Sequence, residues 1–468
     1  MTEQAFDIVV IGGGPGGYPA AIKAAQLGKS VALVEAGLMG GTCLNRGCIP
    51  TKTLLANAHA LNRVREAEHF GIHVDGVSFD YAQMIARKNS VVGGIRKGLE
   101  GLIQANKITV FQGHGRLTGP RHVKVTGEQE VLLKADSIIL ATGSEPRVMP
   151  AFPFDGKKIH SSTSILDITQ LPKRIVIIGA GYIGCEFASL FRDLDVDVVL
   201  LEMMNRILPM EDEYAAKALE KVFKKKSIDM RMGVKVDSVD TSGKGVRVAL
   251  DGGETVDADM VLVSIGRKLN TDTIGLDAAG VSVDPRGAIP VDAYQNTNVP
   301  GIYAIGDITM KWMLAHVATH QGVIAGENAA GGNVKMHYDA VPSVVFTNPE
   351  IGTVGLTLYK AQEAGYNAER AAFPFQALGK SQAALETDGF AQVVVDKKTG
   401  QILGAQVVGH EASTLIAQMA LAMANELTID CVSDTIHAPP TVAEAWMEAA
   451  LLAQGTPLHL PPKPPRKT

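Results

Sequence analysis

The stretch FDIVVIGGGPGG, residues 6–17, decides the fold, because a short apolar run ends there in a turn that contains five glycines. The alanine-rich segment Ala20–Leu27 follows and predicts a helix, and the next apolar run, Ser30–Val34, ends in Glu35. Strand, glycine turn and helix in this order predict a dinucleotide-binding unit, since glycine lets the backbone approach a pyrophosphate at the helix N-terminus. The acid after the second strand lies where a ribose hydroxyl would bind. The residues that this pattern assigns to a nucleotide are Gly12, Gly14, Gly17 and Glu35.

The same pattern occurs a second time, beginning with the apolar run Arg174–Ile178. The glycine turn 179–184 follows, then a predicted helix and a strand, Asp197–Leu201, that ends in Glu202. Two such units in one chain indicate two cofactors. A carboxylate at Glu202 accepts a hydrogen bond from a free 2′-hydroxyl and repels a 2′-phosphate, so it favours NAD over NADP. The residues assigned to the second nucleotide are Gly179, Gly181, Gly184 and Glu202.

Two cysteines with four residues between them lie in GGTCLNRGCIPTK, residues 40–52, just before the apolar run Thr53–Leu61. This spacing brings two sulfurs within reach of each other, and the positive end of a helix stabilises a thiolate. Two inert buried cysteines, or half of a metal site, are the alternatives. The other cysteines, Cys185 and Cys431, are isolated and lack histidines at ligand spacing. Cys43 and Cys48 are therefore predicted to be a redox pair, and no metal site is predicted.

Composition limits the class of protein. A chain of 468 residues that is 46% hydrophobic can bury several cores, which predicts two to four domains. The net charge of −5 gives no basic patch for nucleic acid. The N-terminus has no positive n-region and no run reaches the length of a membrane span, so a soluble, cytoplasmic protein without a membrane partner is expected. The Pro- and Lys-rich tail from Leu458 is predicted to be mobile.

Two residues depart from local expectation, and a third, Asp307, has an ordinary structural role as its commoner interpretation. Pro19 falls a few residues into the first predicted helix, where it removes a backbone donor. Asp195 lies at a helix-to-strand corner that would suit glycine. Asp307 follows the apolar run Ile302–Ile305 and precedes a predicted helix at Leu314–Asn328, and an N-cap is the commoner role for such an aspartate.

The motifs together resemble the flavin-dependent pyridine nucleotide–disulfide oxidoreductases, and within them the dihydrolipoyl dehydrogenase branch. The resemblance covers nearly the whole chain in family order and spacing: GGGPGG, GGTCLNRGCIPTK, ATGSEPR, GAGYIGCE, SIGR, YAIGD and VPSVVFTNPE. It implies an α/β fold with two Rossmann-like domains, a central region and a C-terminal α+β dimerisation domain. The implied boundaries are 1–150 for the FAD-binding domain with the cysteine pair, 151–273 for the NAD-binding domain, 274–342 for the central region that completes the FAD site, and 343–468 for the interface domain.

The resemblance also implies a role for each matching residue. The residues implied for FAD are Gly12, Gly14, Gly17, Glu35, Gly115, Gly143 and Asp307. The residues implied for NAD are Gly179, Gly181, Gly184, Glu202 and Gly266. Lys52 and Glu186 would form an ion pair beside the flavin ring, and Tyr182 would cover the nicotinamide pocket. Cys43 would exchange with the substrate disulfide while Cys48 would lie against the flavin.

The activity implied by the resemblance is the oxidation of dihydrolipoyl groups with reduction of NAD+. Those groups are carried on the acyltransferase subunits of 2-oxo acid dehydrogenase complexes, and the enzyme would be a homodimer whose subunits complete each other's active sites. Glutathione reductases are disfavoured by Glu202. Mercuric reductases and high-molecular-weight thioredoxin reductases are disfavoured by a C-terminal tail without cysteines.

The segment HAPPTVAE, residues 437–444, departs from the family pattern. The family carries a His-Pro pair followed by a glutamate five residues after the histidine, which is the general base for the substrate thiol. Here Pro439 occupies the base position, Glu444 is present, and His437 matches another histidine of the motif. In an extended segment His437 would lie ~6–7 Å along the chain from residue 439, too far to replace the base. The departure predicts impaired turnover; the alternative is a crippled flavin-binding docking subunit or a diaphorase.

Overall fold

The computed structural model of the chain describes residues 2–127 and 130–461, so the tail predicted to be mobile lies largely outside the described residues. Its strands in chain order are β1 (Thr2–Ile11), β2 (Val31–Glu35), β3 (Thr109–Gly119), β4 (His122–Gly127), β5 (Val131–Leu140), β6 (Ser144–Pro146), β7 (Ile159–Ser161), β8 (Arg174–Ile178), β9 (Asp197–Glu202), β10 (Asp229–Met232), β11 (Val236–Asp240), β12 (Val246–Leu250), β13 (Thr255–Ala258), β14 (Met260–Val263), β15 (Arg267–Leu269), β16 (Ile302–Ala304), β17 (Pro342–Val345), β18 (Glu350–Gly355), β19 (Ala368–Pro374), β20 (Phe390–Asp396) and β21 (Ile402–Gly409).

The helices of the described residues are α1 (Gly17–Gln26), α2 (Gly41–Arg46), α3 (Cys48–Arg65), α4 (Tyr81–Ala105), α5 (Tyr182–Asp193), α6 (Glu213–Lys225), α7 (Leu276–Ala279), α8 (Ala315–Ala329), α9 (Leu358–Glu363), α10 (Gly379–Ala384), α11 (Ala412–Ala424), α12 (Ile429–Asp434) and α13 (Glu444–Gln454). Single turns of 3-10 helix lie at Ala67–Phe70, Ser164–Asp167, Gly306–Thr309 and Phe375–Ala377. None of the helices described is both long enough and apolar enough to cross a membrane.

The chain divides into two compact units. The first unit runs from the N-terminus to Gly156 and includes His160–Leu171 and Ile265–His337. The second unit consists of Lys157–Ile159, Pro172–Ser264 and the chain from Tyr338 onward. The four domain boundaries predicted from the sequence remain predictions.

The first unit is built on a parallel sheet in the order β3-β2-β1-β5-β16. Strand β4 pairs antiparallel with both β3 and β5. The central strands are continuous apolar runs because helices or other elements cover both faces of a parallel sheet, and Val9 and Val10 are both fully buried. Strands β1 and β2 pair in register from Ile8 with Val31 to Ile11 with Val34, which places the glycine turn at the carboxyl edge of the sheet.

The second unit repeats this arrangement with four parallel strands in the order β10-β9-β8-β14. Strands β8 and β9 pair from Arg174 with Asp197 to Ile178 with Leu201, so the second glycine turn also lies at a carboxyl edge. An antiparallel ribbon of β11, β12 and β13 interrupts the repeat before β14. We call β1–α1–β2 the first repeat and β8–α5–β9 the second repeat.

The C-terminal part of the second unit is an antiparallel sheet in the order β17-β18-β21-β20-β19. Helices α11 and α13 pack against it around one apolar core, in which Trp446 is 1% exposed and its indole donates to the carbonyl of Leu415. The two Rossmann-like sheets and this α+β region confirm the predicted fold class.

The structure explains why proline at residue 19 and aspartate at residue 195 are tolerated. Pro19 is the third residue of α1, where a backbone N–H would have no partner within the helix, so its missing donor costs little. Asp195 has a φ of +64° and lies just past the last residue of α5, as the sequence predicted for a corner that suits glycine.

Candidate functional site

In the first glycine turn, main-chain atoms lie so close together that Gly12 and Gly17 leave no space for a side chain. Gly12 has a φ of +105°, and a Cβ there would lie 2.3 Å from the carbonyl oxygen of Ala141. A Cβ on Gly17 would lie 1.7 Å from the carbonyl oxygen of Gly12. Helix α1 can therefore start against this turn only if both residues are glycine.

Glu35 ties the turn to the end of β2. Its Oε2 accepts a hydrogen bond of 2.6 Å from the Gly13 N–H, and its Oε1 accepts one of 2.7 Å from the Gly37 N–H. No side chain in the described structure caps α1, and its first turn holds no acidic residue, whereas Asp80 caps α4. A helix N-terminus that no described side chain caps, beside a turn in which Gly12 and Gly17 admit no Cβ, fits a phosphate, so this site fits the pyrophosphate of FAD.

The cysteine segment folds into two helices rather than one. Cys43 lies in the short helix α2, and Cys48 is the first residue of α3. The helix after the pair begins at Cys48, ahead of the apolar run Thr53–Leu61, and Gly47 between the two helices is non-helical, with φ −147° and ψ −108°. Both cysteines are thiols here, with Cys43 hydrogen-bonded to Cys48.

If this sulfur pair loses one proton, the contacts of Cys43 favour keeping the remaining proton on that residue. The hydrogen bond with Cys48, and then burial, raise the pKa of Cys43 far above the ordinary range of a thiol, while the charge of Lys52 acts in the opposite direction. Cys48 lies at the N-terminus of an 18-residue helix, where negative charge is stabilised. The expected thiolate of a pair that shares one proton is therefore Cys48.

The cysteine segment contacts the first glycine turn directly. Gly41 has a φ of +59°, and a Cβ there would lie 2.6 Å from the Cα of Gly14. Asn45, to which the sequence assigned no role, holds the segment in shape because its amide donates to the carbonyls of Met39 and Gly41, both at 3.0 Å. Arg96 of α4 donates to the Asn45 side-chain oxygen at 3.1 Å. An asparagine inside a glycine-rich turn was the only sequence signal for this role.

Asp307 is part of a polar cluster and is not a helix cap. Its carboxylate accepts a 2.5 Å hydrogen bond from the Ser144 hydroxyl and lies 3.7 Å from Arg267. The Arg267 guanidinium also donates to the Ser144 hydroxyl and carbonyl, both at 2.6 Å. The N-cap role that is commoner for such an aspartate is therefore wrong here.

Gly143 and Gly115 differ in their surroundings. Gly143, next to Ser144, has a φ of +67° and no other atom within 4 Å of where a Cβ would stand, so the backbone there is open to a ligand. A Cβ on Gly115 in β3 would lie 3.0 Å from Ile11 and 3.2 Å from Val34. Packing of β3 against its neighbours is thus sufficient reason for a glycine at position 115.

The second glycine turn copies the first. Gly179 has a φ of +99°, and a Cβ on Gly184 would lie 1.8 Å from its carbonyl oxygen. Glu202 accepts hydrogen bonds of 2.7 Å from the Ala180 N–H and 2.8 Å from the Met204 N–H. Gly181 has no other atom within 4 Å of where a Cβ would stand, and no side chain of the described residues caps α5. Gly266 belongs to the other compact unit, so its predicted part in the NAD site remains a prediction. The turn fits a second dinucleotide.

Arg206 is a nearby base that could in principle accept a 2′-phosphate. Its guanidinium is already hydrogen-bonded to main-chain carbonyls. Its guanidinium donates to the carbonyls of Leu208 at 3.1 Å, Pro209 at 2.8 Å and Glu211 at 2.9 Å. A 2′-phosphate would therefore meet the Glu202 carboxylate without a free guanidinium in compensation.

One side of α5 carries polar groups that bond to β17 and the segment after it. The Tyr182 hydroxyl bonds to Glu211 and lies 3.3 Å from the Ser343 hydroxyl. Glu186, which is 6% exposed, accepts a 3.0 Å hydrogen bond from the Phe346 N–H. Lys52 belongs to the other compact unit, so its predicted ion pair with Glu186 remains a prediction.

The C-terminal motif places its glutamate at the start of α13. Glu444 accepts a 2.9 Å hydrogen bond from the Thr441 N–H. His437 is half-buried, and its Nδ1 lies 2.8 Å from the Thr435 carbonyl. In the described structure no hydrogen bond joins His437 to Glu444, and residue 439 is proline. No group of three or more His, Cys, Asp or Glu residues within the described ranges could hold a metal ion.

Comparison with known families accounts for most of the chain. Residues 6–322 match the pyridine nucleotide-disulphide oxidoreductase family, and residues 341–450 match the dimerisation domain of the same family. Dihydrolipoyl dehydrogenase of Chlamydia muridarum is 52% identical over 98% of this chain and 99% of its own length. Dihydrolipoyl dehydrogenase of Thermus scotoductus is 41% identical over 98% of this chain and 99% of its own.

Solved structures agree with these relatives. The crystal structure of LpdA from Mycobacterium tuberculosis matches with a TM-score of 0.90 and 29% identity, over 96% of this chain and 99% of that one. The Cu(II) complex of the HOCl-induced flavoprotein disulfide reductase RclA from Escherichia coli matches with a TM-score of 0.87 and 27% identity, over 96% and 99%. The chain is an NAD-dependent flavoprotein disulfide reductase with FAD and NAD as cofactors, and it belongs to the pyridine nucleotide-disulphide oxidoreductase family.

Proposed function

We propose that this protein oxidises dihydrolipoyl groups and reduces NAD+. The observation that carries the proposal is the cysteine pair, whose Cys48 begins α3 and whose segment lies in backbone contact with the first glycine turn. Dihydrolipoyl dehydrogenases that are up to 52% identical over their full lengths support the choice of substrate. The partners are then the acyltransferase subunits of 2-oxo acid dehydrogenase complexes, in the cytoplasm, and the protein acts as a homodimer through residues 341–450.

The first repeat and its surroundings would hold FAD. The residues proposed for FAD are Gly12, Gly14, Gly17, Glu35, Lys52, Gly115, Gly143 and Asp307. FAD, when bound, supplies a two-electron relay between the sulfur pair and NAD. The chain's own part is to keep the Cys43 proton on the outer sulfur, to place Cys48 at a helix N-terminus, and to position Asp307 through Ser144 and Arg267.

The second repeat would hold NAD. The residues proposed for NAD are Gly179, Gly181, Tyr182, Gly184, Glu186, Glu202 and Gly266. Glu202 receives the ribose while the occupied Arg206 offers nothing to a 2′-phosphate. We extend the proposal to four domains with the boundaries predicted from the sequence, in which the first and third would hold FAD and the second NAD.

Pro439 would depress the thiol step of this reaction. A proline ring cannot accept a proton, Glu444 bonds to the Thr441 N–H, and the His437 ring bonds to the Thr435 carbonyl. The alternative function is therefore a diaphorase or a flavin-binding docking subunit, which this same lack of a base favours. Hydride transfer from NADH to a dye needs neither the substrate thiol nor its base, so the two functions separate in assays on one preparation.

The test compares lipoamide turnover and dye reduction by NADH, both normalised to bound flavin. A general base contributes ~100- to 10,000-fold to rate, so Pro439→His should raise lipoamide turnover within that range and leave dye reduction unchanged. Adding Glu444→Gln to Pro439→His should remove part of the gain. Unchanged lipoamide turnover in Pro439→His, together with its loss in His437→Ala, would show that His437 is the base. Dye reduction without any lipoamide turnover, even in Pro439→His, would favour the alternative function.

A further inference from the structure

A buried carboxylate lies against the first residue of α5. Tyr182 follows Gly181 directly, and its hydroxyl bonds to the side chain of Glu211. The Ser343 hydroxyl of β17 donates to the same Glu211 oxygen at 3.2 Å. Glu211 is 7% exposed and Ser343 is 5% exposed, so the acceptor side of this cluster is buried, while Tyr182 itself is half-buried. We call Tyr182, Glu211 and Ser343 the tyrosine anchor.

The charge of Glu211 makes this anchor strong. Among the residues described, no lysine, arginine or histidine forms an ion pair with its carboxylate, and Arg206 donates to its main-chain carbonyl instead. The donors to the carboxylate are therefore the two hydroxyls of the anchor. Burying a carboxylate is costly unless it is hydrogen-bonded, and hydrogen bonds to charged groups are about twice as strong as neutral ones. Glu211 thus holds the Tyr182 hydroxyl firmly.

The anchor keeps its proton and its position. Burial, followed by the charge of Glu211, raises the pKa of Tyr182 well above the ordinary tyrosine value, so the phenol stays protonated and acts as the donor. Ser343 pairs in register with Thr353 of β18, and their hydroxyls lie 3.3 Å apart. The far end of the anchor is therefore part of a sheet and does not follow movements of the Tyr182 ring.

We infer that Glu211, supported by Ser343, is a positioning residue that holds Tyr182 over the nicotinamide pocket until a nucleotide displaces the ring. The inference rests on the proposed function, in which Tyr182 covers that pocket. The ring cannot leave without breaking a hydrogen bond to a charged, buried acceptor. The affinity for a nicotinamide nucleotide is then reduced by the small fraction of molecules in which the ring has moved aside.

The test measures binding of NAD+ and of ADP-ribose to the flavin-loaded protein by calorimetry. ADP-ribose has no nicotinamide, so the tyrosine ring should not affect it. Tyr182→Phe should tighten NAD+ binding ~10-fold, because the variant removes the hydroxyl that anchors the ring. Glu211→Gln retains an acceptor without charge, so it should shift NAD+ affinity in the same direction by less. The double variant should bind NAD+ no more tightly than Tyr182→Phe alone, and none of the three should change ADP-ribose binding.

The matched control is Glu213→Ala, which removes a carboxylate two residues away that is exposed and paired with Lys217. It should bind both ligands as the parent does. Unchanged NAD+ affinity in Tyr182→Phe and Glu211→Gln, additive effects in the double variant, or weaker NAD+ binding would each overturn the inference. A parent that binds neither ligand would overturn the proposed function as well. Flavin content and circular dichroism verify that each variant folds. Glu211→Gln preserves side-chain volume, so it still tests the inference if the other variants fail to fold.

Discussion

In the first repeat, α1 is covered by α8, and the two helices meet at glycine. A Cβ on Gly322 would lie 2.1 Å from the carbonyl oxygen of Gly16, and a Cβ on Gly326 would lie 2.5 Å from that of Ala20. In the second repeat, the corresponding helix α5 is covered through polar groups: Glu186 accepts from the Phe346 N–H, and Ser189 accepts from the Asn348 N–H at 3.0 Å.

The difference lies outside the parts that a nucleotide needs. Both turns start with a left-handed glycine, both helices rest on that glycine's carbonyl, and both acids bond to two N–H groups. Close packing through glycine leaves no room for movement between α1 and α8. Hydrogen-bonded groups can exchange partners at a cost of ~1 kcal/mol each. The first repeat is thus suited to a cofactor that stays, and the second to a nucleotide that comes and goes.

The largest expected effect comes from adding one methyl group at Gly17 in the first repeat or at Gly184 in the second repeat, the glycines that begin or lie in the first turn of α1 and α5. Gly17→Ala and Gly184→Ala place a Cβ 1.7 and 1.8 Å from a carbonyl oxygen, so each helix must move, at ~3 kcal/mol or more. Gly17→Ala should lose bound flavin, measured by visible absorbance. Gly184→Ala should keep its flavin but no longer be reduced by NADH.

A helix glycine without neighbours is the control for this pair. A Cβ on Gly98 in α4 would have no other atom within 4 Å, so Gly98→Ala should bind both cofactors and gain up to ~1 kcal/mol of unfolding free energy. Flavin retained in Gly17→Ala would contradict the assignment of FAD to the first repeat.

The acids of the two repeats should show the next largest effect. Glu202→Ala leaves the Ala180 and Met204 N–H groups without their acceptor and should weaken NADH binding by ~10- to 100-fold. NADPH should gain little, because Arg206 is bonded to main-chain carbonyls. The measurement is kcat/KM for each nucleotide with a dye as acceptor. Glu35→Ala, the equivalent change, should lower flavin content instead, and a variant of Glu202 that prefers NADPH would refute the role of Arg206.

The contacts that cover α1 and α5 should contribute different amounts to the free energy of unfolding. Gly326→Ala pushes α8 away from α1 and should destabilise the protein by ~1–3 kcal/mol. Ser189→Ala loses one hydrogen bond to the Asn348 N–H, worth ~1 kcal/mol. Denaturant unfolding of both variants, read by flavin release and by circular dichroism, tests this order. Equal costs would mean that the two covers are equally rigid.

The smallest expected effect concerns the corner after each helix. Gly28, with φ +81°, and Asp195, with φ +64°, occupy the same place in the two repeats, each one residue beyond the C-cap of its helix. Asp195→Gly should stabilise the protein by up to ~1 kcal/mol, and Gly28→Asp should destabilise it by a similar amount. Thermal unfolding checks both, and a loss of stability in Asp195→Gly would show that the aspartate side chain contributes more than its backbone conformation costs.

Sequence reasoning succeeded where a local pattern and its period decide the structure. The runs before both glycine turns are strands, both acids end a strand, and the fold class follows. Apolar runs of this length predict buried parallel strands. The bounds of the helix after the cysteine pair were not predicted; it begins at Cys48 and accommodates Pro50, because proline is accepted in the first turn of a helix.

The contacts of the candidate site were harder to foresee, because they join residues far apart in sequence. Tyr182 is bonded to Glu211, 29 residues away, and to Ser343, 161 residues away. Arg206 is a base close to Glu202 in the sequence, but its bonds to three carbonyls depend on a turn that no pattern predicts. Asp307 looked like a cap because its partner Ser144 is 163 residues away.

Because Gly41 packs directly against Gly14, the cysteine segment and the first glycine turn form one structural unit. A Cβ on Gly41 would stand 2.6 Å from the Gly14 Cα, so the cysteine segment cannot carry a side chain at residue 41 while the first glycine turn stays in place. Anyone who transplants the cysteine pair into another nucleotide-binding scaffold must therefore carry both loops together, with their spacing intact. Loss of the sulfur chemistry alone would not free Gly41 to vary, because a Cβ there would collide with the Gly14 backbone that the nucleotide needs, and not with the sulfurs.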